Sequence, residues 1–120
     1  MDMNTVYIVE DEPGIRLLLK EIMESEQVQV KAFETPIAAL ENIKQDKPKL
    51  LFVDFHLPMM NGIEFIKKAY AEVSCPAIMM SGYDKEELDN EIDTSIVTEW
   101  IRKPFEVTDI MTIVQTYLHL

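Results

Sequence analysis

Leu50-Leu51-Phe52-Val53-Asp54-Phe55-His56-Leu57-Pro58-Met59-Met60-Asn61-Gly62 is the stretch from which the fold can be read. Its opening residues are apolar without alternation and stop at a carboxylate, the pattern of a strand buried on both faces of a sheet. Pro58 and Gly62 then punctuate a loop. Beyond it Ile63, Ile66, Ala69, Tyr70 and Val73 recur at helical spacing. A strand, a loop and a helix thus form one unit, and the unit repeats in both directions along the chain.

Upstream, Thr5 to Val9 is a β-branched and aromatic run that stops at Glu10-Asp11-Glu12. From Pro13, suited to a first helical turn, Ile15, Leu18, Leu19 and Ile22 share one helical face. Val28 to Phe33 reads as a second strand. Thr35 then stands as an N-cap with Pro36 at the first helical position and a stripe of Ile37, Leu40 and Ile43. Downstream, Pro76 to Met80 predicts a fourth strand ending at Ser81-Gly82, and the acidic, weakly periodic residues 84–92 a fourth helix. Val97 to Ile101 alternates as a fifth strand before Lys103-Pro104, and Ile110, Ile113, Val114, Tyr117 and Leu118 form a closing helix. Five βα units with short connections predict an α/β fold, a doubly wound five-stranded parallel sheet covered on both faces.

The chain has 120 residues, which suits one domain over 1–120 and leaves no room for a second, output domain. Eleven Lys and Arg against 22 Asp and Glu leave a net charge of −11, which argues against nucleic acid and against an anionic membrane surface. The single Cys75 excludes an internal disulfide and a cysteine-rich metal site. No segment approaches the roughly 20 apolar residues of a membrane span. Met1-Asp2-Met3-Asn4 lacks the basic and apolar regions of a signal peptide, so a cytoplasmic protein is expected.

In open parallel sheets, ligands bind beyond the carboxyl ends of the strands. The predicted strands deliver Glu10, Asp11 and Glu12, then Asp54, Ser81 and Lys103 to that edge. If the first and third strands are neighbours, about 4.8 Å apart, Asp11 and Asp54 converge. Carboxylates so placed repel unless a cation compensates. Oxygen ligands without His or Cys suit Mg²⁺ before Ca²⁺. With the Lys103 ammonium and the Ser81 hydroxyl added, the set describes a phosphoryl-transfer site.

At this point the chain resembles, over essentially its whole length, the receiver domain of two-component response regulators, including the single-domain chemotaxis type. The matching residues are Glu10-Asp11, the loop from Asp54 through Pro58 to Gly62, Met80-Ser81-Gly82 and Lys103-Pro104-Phe105. The resemblance implies a flavodoxin-like strand order 2-1-3-4-5 and Asp54 as phosphoacceptor. The donor would be a phosphohistidine on a sensor histidine kinase or histidine phosphotransfer protein, or a small acyl phosphate. It also implies Mg²⁺ held by Asp11, Asp54 and the backbone carbonyl of His56, with Glu10 acting directly or through water. Lys103 would pair with the phosphoryl oxygens, Ser81 would turn toward the phosphoryl group, and Trp100 would follow it inward as a switch. Lys103-Pro104 would be cis. Such a protein is no enzyme beyond its own phosphorylation and slow dephosphorylation. It would signal to a downstream effector protein through a surface made by residues 84–92, the fifth strand and the closing helix, and that last helix could also pair two copies. The chain departs from the family's commonest pattern at Glu10, where Asp is more frequent, and at Trp100, where Tyr or Phe is usual. It also lacks a Gly-Ala step, having Asp93-Thr94-Ser95-Ile96 instead.

Plainer roles stand beside these. A strand-end Asp54 can cap its own loop, Glu10 and Asp11 can be a solvated acidic loop before a helix, and Lys103 can be a surface lysine before a turn proline. Ser81 can serve the turn alone, and Trp100 can simply pack with its N–H satisfied. His56 and Tyr83 are expected over the site entrance, where they would limit water attack, with Met59-Met60 in the loop beside it. A flavodoxin-type nucleotide binder would need a Gly- or Ser-rich loop where Glu10-Asp11-Glu12 stands. A small Mg²⁺-dependent aspartyl phosphatase would need a second acid where His56 stands. The remaining rival is a receiver-like interaction module that works without phosphorylation.

Overall fold

In the computed structural model, which describes residues 4–83 and 93–120, five parallel strands form one sheet in the order β2-β1-β3-β4-β5. The strands are β1 Thr5–Val9, β2 Gln29–Phe33, β3 Leu50–Asp54, β4 Ala77–Ser81 and β5 Glu99–Arg102. Among the described residues the helices are α1 Pro13–Glu24, α2 Pro36–Asp46, α3 Gly62–Ala69 and α4 Val107–Leu118. The helix expected over 84–92 lies outside the described residues.

β1, β3 and β4 are buried along their whole length, as their unbroken apolar runs require, whereas the edge strands β2 and β5 are only partly covered. Alternate side chains feed two cores. Val6, Ile8, Phe52, Ile78 and Met80 pack with residues of α1 and α4. Tyr7, Val9, Leu51, Val53 and Met79 pack with residues of α2 and α3. β1 pairs with β2 on one side and β3 on the other. The chain therefore reverses its winding there, and a crevice opens beyond the carboxyl ends of β1 and β3.

The helix stripes differ in detail from the predicted ones. In α1 the buried residues are Leu19, Ile22 and Met23, while Leu18 is 45% exposed. In α2 Pro36, Ala39 and Ile43 face the core and Ile37 is 37% exposed. At 100° per residue, Leu18 and Ile37 lie on the shoulder of their buried arcs, and the sheet covers the side that holds Met23 and Ala39. β5 begins two residues later than expected. Val97 is occupied in a turn with Thr94, and Thr98 N–H reaches Ala77 O at 2.8 Å before the strand starts.

Candidate functional site

β1 ends at Val9, but Glu10 N–H still donates to Phe33 O at 3.0 Å, so the backbone beside the crevice remains part of the sheet. This fixes Glu10 with its side chain fully buried. Its Oε1 meets Lys103 Nζ at 2.5 Å. The same ammonium lies 3.2 Å from Asp54 Oδ2. Lys103 is held there by its own N–H, which donates to Ser81 O at 2.8 Å, and Lys103-Pro104 is cis, as the resemblance implied. Asp54 Oδ1 accepts the His56 N–H at 3.2 Å. Glu10, Asp11 and Asp54 each present a carboxylate oxygen, and these lie within 4.8 Å of one another, with only Asp11 exposed.

The electrostatics follow from that packing. Burial and the Asp54 carboxylate push Glu10 up to about 7, and Lys103 offsets only part of the rise. Lys103, drawn down by its own burial, is held above its ordinary value by Glu10 and Asp54 and stays charged. Three clustered carboxylates thus face one ammonium. An all-oxygen donor set with that deficit of positive charge fits a hard divalent cation.

A pH effect follows for the cation-free protein. The folded chain keeps a proton on Glu10 that the unfolded chain releases near 4.5. The stability carried by that proton is full at low pH and is lost as the pH rises through about 7. Glu10→Gln, neutral throughout, is expected to flatten this part of the curve. Urea midpoints of both proteins between about pH 5 and pH 8 check it, and parallel curves would sink it.

Glu12, which the sequence brings to the same edge without a place among the expected metal ligands, serves the helix. Its carboxylate accepts from Gly14 N at 3.1 Å and Ile15 N at 2.8 Å, capping α1. Ser81 ends β4 fully buried, and its Oγ accepts the Tyr83 N–H at 3.0 Å. His56 and Tyr83 do meet, ring edge to ring face at 5.8 Å, and His56 also abuts Phe55 at 5.0 Å. Trp100 packs on the α2 and α3 side of the sheet, 6.4 Å from Phe55. Its buried Nε1 has no hydrogen-bond partner among the described residues, against the expectation that a packed tryptophan satisfies its N–H. Burial pushes the Cys75 thiol up to about 11, which leaves it a poor nucleophile.

Arg16 went unread in the sequence, and Gly62 was read only as the end of the loop after Asp54. Arg16 Nη1 donates to the backbone carbonyl of Glu10 at 2.9 Å. Gly62 N–H closes the loop onto Phe55 O at 2.8 Å, and a Cβ at Gly62 would stand 2.8 Å from the backbone oxygen of Asp54. No sequence signal marked Arg16, and the close approach at Gly62 follows from packing that a loop glycine alone does not specify.

A family model described as the response regulator receiver domain matches residues 6–115. Sporulation initiation phosphotransferase F of Bacillus subtilis is 29% identical over 116 residues, covering 96% of this chain and 94% of that protein. A protein-glutamate methylesterase/protein-glutamine glutaminase of Vibrio vulnificus is 41% identical over 78 residues, 63% of this chain but only 23% of that one. A solved receiver domain protein from Methanospirillum hungatei superposes with a TM-score of 0.85 at 25% identity, covering 98% of this chain and 94% of that one. No helix among the described residues is long and apolar enough to cross a membrane.

Proposed function

The chain belongs to the response regulator receiver domain family, and from that premise we propose that residues 1–120 act as one receiver whose phosphoacceptor is Asp54. The observation that carries the reading is the Lys103 ammonium set between two buried carboxylates, 2.5 Å from Glu10 and 3.2 Å from Asp54. It faces the Asp54 carboxylate directly and leaves a fixed positive charge where transferred phosphoryl oxygens would arrive.

In the transfer, an Asp54 carboxylate oxygen attacks the donor phosphorus in line. The P–N bond of a phosphohistidine breaks and its electron pair returns to the imidazole, or the P–O bond of acetyl phosphate breaks and acetate leaves. Bound Mg²⁺ would supply the charge neutralisation that phosphoryl transfer requires, and Asp11, Asp54, the His56 backbone carbonyl and Glu10, directly or through water, would hold it. Lys103 pairs with the new phosphoryl oxygens. Ser81 can turn toward them only by releasing the Tyr83 N–H it now accepts, so Tyr83, the His56 ring against it and Trp100 form the responding side. The donor is a sensor histidine kinase or histidine phosphotransfer protein, the setting cytoplasmic, and the chain catalyses only its own phosphorylation and slow dephosphorylation. The receiving effector protein, or a second copy of the chain, reads the face built from β5 and α4.

Acetyl phosphate offered with Mg²⁺ is expected to give one phosphoryl adduct in the intact mass, and none when the metal is chelated. Absence of any adduct with Mg²⁺, together with indifference to a trapped phosphate mimic, would move the protein to the class of receivers that work without phosphate.

A further inference from the structure

We propose that Arg16 is the positioning residue of the acidic loop, holding Asp11 where a divalent cation can use it; the inference rests on the metal reading above. Arg16 lies one turn into α1, half-buried. Its Nη1 donates to Glu10 O at 2.9 Å, and its backbone N–H donates to Glu12 O at 3.0 Å. The second is the ordinary first-turn bond of α1; the guanidinium itself grips the carbonyl of Glu10, the peptide that leads into Asp11.

The loop needs that grip. Asp11 is the exposed member of three carboxylates whose oxygens lie within 4.8 Å, so repulsion drives it toward water. Its neighbours are anchored, Glu10 by Lys103 and Phe33 O, Glu12 by the amides of Gly14 and Ile15, and the Glu12 N–H donates to Glu10 Oε2 at 3.4 Å. The Arg16 side chain adds a hold on the Glu10 carbonyl, fixing the peptide from which the unanchored Asp11 hangs. A guanidinium suits this task, because its rigid fork loses less freedom than a lysine would on making such a bond.

Two roles for Arg16 predict opposite signs. As a bare charge beside a cation site it opposes Mg²⁺, so its removal tightens binding. As a clamp behind a metal ligand its loss weakens binding by about tenfold or more. Mg²⁺ alone is titrated calorimetrically into the full chain and into Arg16→Met and Arg16→Lys, with urea midpoints measured beside. Arg16→Met keeps the apolar stem and is expected to bind about tenfold more weakly with little change in midpoint. Arg16→Lys keeps the charge but loses the planar fork and its reach, and should fall between the two. If the Met variant fails to fold, the Lys variant decides: weaker binding at unchanged charge marks lost geometry, and unchanged binding overturns the clamp. Equal or tighter binding by a folded Arg16→Met overturns the clamp and leaves the metal site standing. A wild-type chain that takes up no Mg²⁺ overturns both.

Discussion

Asp54→Asn is expected to take up no measurable phosphoryl group from acetyl phosphate, a loss of about a thousandfold or more, since removing a nucleophile removes the reaction and not merely its assistance. The fold should survive. Asparagine matches the shape of the carboxylate, Lys103 keeps its 2.5 Å partner Glu10, and one of three mutually repelling charges disappears. Asp54 is among the groups that hold Glu10 above its ordinary range, so the variant should also let Glu10 ionise more readily. Intact mass and a urea midpoint measured on the same preparation separate lost chemistry from lost structure. An adduct formed at the wild-type rate would put the acceptor on another residue, and a collapsed midpoint would give Asp54 a structural role instead.

Gly62→Ala is expected to cost about 2–3 kcal/mol and to lower phosphoryl uptake with it, because overpacking a close approach forces its surroundings to move. The added Cβ would stand 2.6 Å from Met79 Sδ and 2.8 Å from Asp54 O. Met79 can bend away, but the Asp54 oxygen is backbone at the very end of β3, so any shift moves Asp54 itself. The backbone conformation at Gly62 is not the obstacle, since no glycine here has a positive φ. Gly82→Ala is the fitting control, because nothing lies within 4 Å of a Cβ there. A Gly62→Ala protein with the wild-type midpoint and uptake would show that the loop gives way freely.

Most of the scaffold could be read because buried parallel strands and amphipathic helices write different periods, as in Leu50 to Val53 against Ile110 to Leu118. Thr35 and Pro36 marked a helix start for the same local reason. What escaped was non-local or depended on side-chain reach. Periodicity does not say which shoulder of a stripe the sheet covers, so Leu18 and Ile37 were taken for core. Glu12 looked like its acidic neighbours, and only its actual hydrogen bonds separate a helix cap from a ligand. The convergence of Asp11 with Asp54 was legible from strand ends, as was the delivery of Glu10 and Lys103 to the same edge. The direct grip of Lys103 on Glu10 was not, because it follows from packing on both sides of the pair.

That grip spans 93 residues of chain. During synthesis the carboxylates of the first and third strands emerge well before the ammonium that balances them, and their counter-charge arrives only when the last strand docks. Contacts between such distant segments form late, after the closure of long loops. An incomplete chain therefore presents Asp54 without the ammonium that faces it, and under the proposed function competence to take up phosphoryl would wait for the last strand.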